Sequence, residues 1–186
     1  MVYLLLGNGF EETEAVAPLD CLRRAGIDTC TLGIGGFKVR SSHQMTVMPD
    51  STVDSLTPAD VDDTEMVILP GGLGGVAAIK ENLRATTLIR KCYEDGKWVA
   101  AICAAPTVLA ELGILKGRKA TVYPGMEDGL KDAVPQIGSQ VVVDGNIITG
   151  EAAGSAWEFG LKLVECLRGR ETAEKVALDV HFHGKF

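Results

Sequence analysis

Histidine is the scarcest reactive side chain in this 186-residue sequence: only His43, His181 and His183 occur, and none lies between residues 44 and 180. A cysteine hydrolase of the usual dyad type needs an imidazole within reach of its sulfur, and most of the chain has none to offer. All three histidines are expected at the surface, and the single H-x-H pair at His181 and His183 has no third ligand, so no metal is expected. The five cysteines, Cys21, Cys30, Cys92, Cys103 and Cys166, are an odd, scattered set without a C-x-x-C pair. That excludes a disulfide framework and a zinc site as first readings and makes a reducing cytoplasm the expected compartment. Basic clusters are missing too. The net charge is −7, and Arg23-Arg24 and Arg168-Gly169-Arg170 fall at predicted helix ends, where cations complement the dipole. Nucleic acid is therefore not an expected partner. No apolar run approaches the roughly 20 residues that span a bilayer, so no membrane association is expected either. Met1 to Gly7 is apolar, lacks a basic flank and is too short for a secretory signal, and it reads as a first buried strand.

What is present is a composition with 46% hydrophobic and 23% charged residues, enough to bury a core without disulfides or metal, and one domain over 1–186 is expected. The pattern alternates. A strand at Val2–Leu6 precedes a helix at Glu14–Ala25 that stops at Gly26, and a second strand runs from Asp28 to Ile34. Residues 38–58 are polar with alternating Val39, Met45 and Val47, which predicts a short antiparallel excursion and a connecting loop. Met66–Leu69 is the next buried strand, broken by Pro70-Gly71-Gly72-Leu73-Gly74-Gly75. A helix through Leu83, Leu88, Ile89 and Cys92 then leads to the strand Trp98–Ile102. Beyond it come a helix at Pro106–Leu112, a short strand at Lys119–Tyr123, and a hairpin of Gln140–Val143 with Ile147–Thr149 through a type I′ turn at Asp144-Gly145. A long helix spans Ser155–Leu167, and a last turn or two falls at Thr172–Ala177. This order predicts an α/β fold with a doubly wound, mostly parallel sheet, whose sites lie beyond the carboxyl ends of the strands.

Three candidate elements fall at such ends. Trp98–Ile102 runs directly into Cys103, followed by Ala104-Ala105 and then Pro106, which opens a helix; this is the layout of a nucleophile elbow. A thiol facing a helix N-terminus is expected to have its pKa lowered from about 8.5 into the range of about 3.5 to 7.5. Local context alone also admits a small buried residue at a tight turn. The glycine-rich turn after Met66–Leu69 offers backbone N–H groups at Gly71, Gly72 or Gly74 for an anionic oxygen. It has neither Walker spacing nor a G-x-G-x-x-G fingerprint, and no cofactor is expected. Glu11, Glu12 and Glu14 open the first helix, where acids are favoured by the dipole alone. One of them, turned toward the cysteine, would be protonated beside a thiolate and would shuttle a proton.

Taken together, Glu11-Glu12-Thr13-Glu14 with Pro18 and Arg23-Arg24-Ala25-Gly26, Leu69-Pro70-Gly71-Gly72, Ala100 to Thr107, and Trp157-Glu158-Phe159 resemble the ThiJ/PfpI superfamily, in the branch of the parkinsonism-associated protein deglycase. The resemblance covers nearly the whole chain. It implies a flavodoxin-like three-layer sandwich, a homodimer, and a nucleophilic Cys103 in contact with a protonated Glu14. It also implies an oxyanion pocket from the backbone of Gly71, Gly72 and Ala104. The activities it implies are glutathione-independent conversion of small dicarbonyls such as methylglyoxal, repair of glycated adducts, redox sensing through cysteine oxidation, and chaperone action. An older family label is thiazole monophosphate (thiamine) biosynthesis. The implied partner is a small-molecule carbonyl substrate. Two departures bear on the pocket. Tyr123 stands before Pro124 where many relatives have histidine, removing a proton relay, and Glu151-Ala152-Ala153-Gly154 replaces a basic or amide residue followed by Gly-Pro-Gly. Ala104 after the cysteine, where the protease branch has histidine, argues against protease activity.

Overall fold

The computed structural model describes residues 1–186. Its elements, in chain order, are β1 (Val2–Leu6), α1 (Glu12–Arg24), β2 (Thr29–Gly33), β3 (Val39–Arg40), β4 (Thr46–Val47), β5 (Ser51–Thr52), α2 (Pro58–Asp62), β6 (Met66–Leu69), α3 (Leu73–Glu81), α4 (Leu83–Glu94), β7 (Trp98–Ile102), α5 (Pro106–Glu111), β8 (Lys119–Ala120), β9 (Val134–Pro135), β10 (Val141–Asp144), β11 (Ile147–Gly150), α6 (Ala156–Arg168) and α7 (Arg170–Asp179). Seven strands form one sheet in the order β10-β11-β7-β6-β1-β2-β5, parallel throughout except that β10 runs antiparallel to β11. β3 and β4 form a separate antiparallel pair, which is the expected excursion.

β1, β6 and β7 consist of near-continuous apolar residues because both sheet faces are covered. Alternate side chains enter two cores: Val2, Leu4 and Leu6 pack with α1, α6 and α7, whereas Tyr3 and Leu5 pack with α3, α4 and α5. This is a three-layer α/β sandwich. The central parallel strands β2-β1-β6-β7-β11 give the flavodoxin-like order, with the switch point between β1 and β6, where such folds open a crevice.

Four local expectations need correction. Leu73–Glu81, expected only as the end of a glycine break, is helix α3, which follows Gly72 directly despite Gly74 and Gly75 in its first turn. The loop expected up to Pro58 contains β5, which extends the sheet edge beside β2, and Pro58–Asp62 is a helix capped by Thr57 and Asp60. The strand expected at Lys119–Tyr123 is only Lys119–Ala120 and pairs with β9 outside the main sheet. The hairpin loop is Gly145-Asn146, since Asp144 pairs with Ile147. Only Gly145 has positive φ, the pattern of a type II′ rather than a type I′ turn.

Candidate active site

The carboxyl ends of β1, β6 and β7 bring three loops together. α1 buries Glu14, Ala17, Pro18 and Cys21, a stripe at i, i+3, i+4 and i+7, so Glu14 lies on the core face of its helix and is only 1% exposed. Its carboxyl is fixed by the loop after β6: the Gly71 N–H donates to Glu14 Oε2 at 2.8 Å, while the Glu11 N–H donates to the Gly71 carbonyl at 3.0 Å. Gly71 must lack a side chain. A Cβ there would fall 2.7 Å from Cys103 Cβ and 3.1 Å from its Sγ, and closer still to Glu14 Oε2.

Cys103 follows β7 with φ +64°, a left-handed conformation that costs a non-glycine residue about 1–2 kcal/mol. Backbone bonds to β11 and to the segment after β8 hold it there: its N–H donates to the Gly150 carbonyl at 3.0 Å, and its own carbonyl accepts from the Tyr123 N–H at 2.9 Å. This strained turn is the expected elbow, and it aims Sγ at Glu14. Sγ and Glu14 Oε2 both border the space that a Gly71 side chain would fill, and the thiol's electrostatics are set by Glu14 together with the Gly72 and Ala104 amides.

The electrostatics of the pair differ from the expectation. Burial pushes the Glu14 carboxyl up to about 7, opposed by its hydrogen bonds with Cys103 and Gly71. Burial, and after it the charge of Glu14, push the Cys103 thiol up to about 12 against the smaller lowering by the Ala104 and Gly72 amides. The expected lowering by a helix dipole fails for a structural reason. α5 has six residues and starts at Pro106, three residues past the sulfur, and the dipole fades within a turn. With Glu14 ionised, the proton of the pair resides on sulfur.

The pair opens into a cavity of about 610 Å³, within the range of small-molecule sites, whose walls include Glu14, Cys103, Gly72, Tyr123, Gly154 and His43. Tyr123 is a wall residue, as the resemblance implied. Glu151 is not, and lines a separate small cavity with Thr121 and Gln136. Gly71 differs from its expected role as well, because its N–H is committed to Glu14, leaving Gly72 and Ala104 as the amides that face sulfur. His181 and His183 are exposed and line no part of this cavity.

His43 is the residue that sequence reasoning passed over. It is exposed, as expected, but the β3–β4 hairpin carries it to the cavity mouth. The hairpin is docked by backbone bonds, Gly9 N–H to the Arg40 carbonyl (2.7 Å) and Ser42 N–H to the Phe10 carbonyl (2.8 Å). Glu12 then binds its tip, accepting from Ser41 Oγ, from the His43 N–H at 2.8 Å and at His43 Nδ1 at 2.9 Å. Burial would raise the Glu12 carboxyl, but the hydrogen bonds from Ser41 and His43 outweigh it and bring the pKa down to about 2. His43 is raised from its ordinary value by the Glu12 hydrogen bond and by the charges of Glu11 and Glu12. The only sequence signal for this residue is its position between Val39 and Val47, in the predicted excursion.

Comparison with known proteins agrees with the geometry. Residues 1–166 match the model of the DJ-1/PfpI family. Over 176 residues, the chain is 41% identical to Protein dj-1beta of Drosophila melanogaster, covering 94% of this chain and 92% of that protein. It is 33% identical over 168 residues to Deglycase TK1284 of Thermococcus kodakarensis, covering 90% and 99% of the two chains. The crystal structure of Drosophila melanogaster DJ-1beta superposes with a TM-score of 0.91 at 38% identity, covering 97% of this chain and 96% of that one.

Proposed function

The chain belongs to the DJ-1/PfpI family, and on that premise we propose that it is a cysteine-dependent enzyme acting on small dicarbonyls or glycated adducts. The observation that carries this reading is a half-buried thiol and a buried carboxyl set together against Gly71 at one wall of a small-molecule cavity, where burial pushes the carboxyl up to about 7. A general base works best when its pKa is near the operating pH, so Glu14 supplies what a dyad histidine would otherwise supply. Cys103 Sγ attacks the aldehyde carbon as its proton passes to Glu14. The Gly72 and Ala104 amides stabilise the developing oxyanion, and Glu14 returns the proton to that oxygen to give a hemithioacetal. Rearrangement of this adduct to a thioester and hydrolysis give a hydroxy acid. The deglycase name carried by relatives at 31–33% identity supports the substrate class. Methylglyoxal turnover should fall to background in Cys103→Ser and collapse in Glu14→Gln; full turnover in either variant refutes the mechanism.

A second reading rests on the same donors. A neutral Glu14 and the two amides around Sγ would also hold the oxygens of an oxidised cysteine, making the site a sensor of peroxide. Intact-mass measurement after mild peroxide should show oxygen added at Cys103, and an unmodified Cys103 removes this reading.

A further inference from the structure

Two acid–base pairs meet at one cavity, Glu14 with Cys103 in its wall and Glu12 behind His43, and the proposed reaction uses only one of them. Resting on the dicarbonyl reading above, we propose that His43 is the second proton-transfer group of the site, serving the oxygens of the substrate while Glu14 serves sulfur and carbon.

The geometry has the parts of an oriented imidazole. Glu12 Oε2 holds Nδ1 at 2.9 Å, and Nε2 makes no hydrogen bond within the chain. A carboxylate that fixes one ring nitrogen sets the tautomer and leaves the other nitrogen to act on a ligand, the same division of labour as in a catalytic triad. The hairpin that presents the ring is itself constrained. Gln44, next in sequence, has φ +73°, and its side chain accepts from Arg40 Nη2 at 2.9 Å. The charged and titratable groups around the ring are Glu11 (Oε2 to Nδ1, 3.5 Å) and Glu12 at the start of α1, and Arg40 on its own hairpin. Glu14, Cys103 and Tyr123 line the same cavity. The two acidic neighbours favour the protonated ring, so it can act as an acid.

The chemistry calls for a second group. In the hemithioacetal of methylglyoxal, the sulfur-bearing carbon must lose a hydrogen while the neighbouring ketone oxygen gains one. Glu14 carboxylate takes the C–H proton, the freed electron pair forms a C=C bond, and Nε2–H of His43 protonates the ketone oxygen, giving an enediol. Glu14 then returns its proton to the second carbon as neutral His43 takes the proton of the first hydroxyl, leaving a thioester. One carbon is oxidised and its neighbour reduced within the substrate, so no external oxidant enters, and both side chains end as they began. Water cleaves the C–S bond, and the proton returns to Cys103. The imidazole that Tyr123 fails to supply comes from a different part of the chain.

The test is the pH dependence of methylglyoxal turnover by the full chain and its His43→Ala, His43→Asn and Glu12→Gln variants. In the native protein, kcat/KM should rise as Glu14 ionises and fall on the alkaline side as His43 loses its proton. His43→Ala should lower kcat by about 10²-fold with little change in KM. It should also abolish the alkaline limb and regain activity with added imidazole. His43→Asn, which keeps a hydrogen bond to Glu12, should stay as slow, and Glu12→Gln should move the alkaline limb to lower pH. Native kcat and an unchanged profile in His43→Ala overturn this proposal while leaving the cysteine mechanism standing. Absence of turnover in the native protein overturns both.

Discussion

Glu12 and Glu14 are two residues apart in the first turn of one helix, yet their environments drive them in opposite directions. Glu14 faces the core, accepts from one amide beside the Cys103 thiol, and is pushed up to about 7 by burial. Glu12 faces the hairpin tip, accepts from two hydroxyls, an amide and an imidazole, and is brought down to about 2. Chemistry and formal charge are the same; the outcome depends on how far each carboxylate leaves water and on how many donors meet it there. Divergence of this kind separates a proton carrier from a permanent anion, and it assigns Glu14 to proton transfer and Glu12 to holding His43.

The largest expected effect that would sharpen this contrast is catalytic. Glu14→Gln should lower kcat for methylglyoxal by about 10²- to 10⁴-fold, whereas Glu12→Gln should cost less and act mainly on the pH profile, as steady-state kinetics would record. Stability should diverge as well. Glu14 binds its proton more tightly folded than unfolded, so between about pH 4.5 and pH 7 the native state holds more protons and stability falls as pH rises, by on the order of 3 kcal/mol in all. Glu14→Gln should remove that decline. Glu12 has the opposite sign: its contribution is present above the ordinary carboxylate range and is lost as pH falls toward 2. Urea denaturation across pH 2 to 8 resolves both. Next in size is Gly72→Ala. A Cβ at φ +83° would sit 2.7 Å from the Glu11 nitrogen, and a loss of about 1–3 kcal/mol is expected by the same method. The smallest effect is Tyr123→Phe. Its ring, 48% exposed at the cavity wall, has no assigned proton transfer, so kcat/KM should stay within about twofold.

The parts legible in sequence were those fixed by local pattern. β1, β6 and β7 are apolar runs because both faces are buried, and the elbow at Cys103 follows from a strand ending just ahead of Pro106. Glu14 was legible through family resemblance, and its spacing with Ala17, Pro18 and Cys21 on the buried stripe carries the same message. What escaped depended on long-range packing. α3 begins at glycines that locally signal a break, and they are present because Gly75 packs against Phe10, leaving no room for a Cβ. His43 sits between strands of two residues each, and only docking against residues 9–12 brings it to the cavity. The thiol is raised rather than lowered because desolvation of the elbow and the Glu14 charge outweigh the Ala104 and Gly72 amides, none of which local sequence displays.

One carboxyl beside Cys103 should titrate near neutrality while its neighbour on the same turn stays ionised down to about pH 2. A carbon-13 NMR titration of glutamate side-chain carboxyls, assigned with Glu14→Gln and Glu12→Gln, measures this directly. One resonance should titrate near pH 7 and disappear in Glu14→Gln, and one should titrate near pH 2 and disappear in Glu12→Gln. Titration of Glu14 in the ordinary carboxylate range, about 4.3, would contradict it.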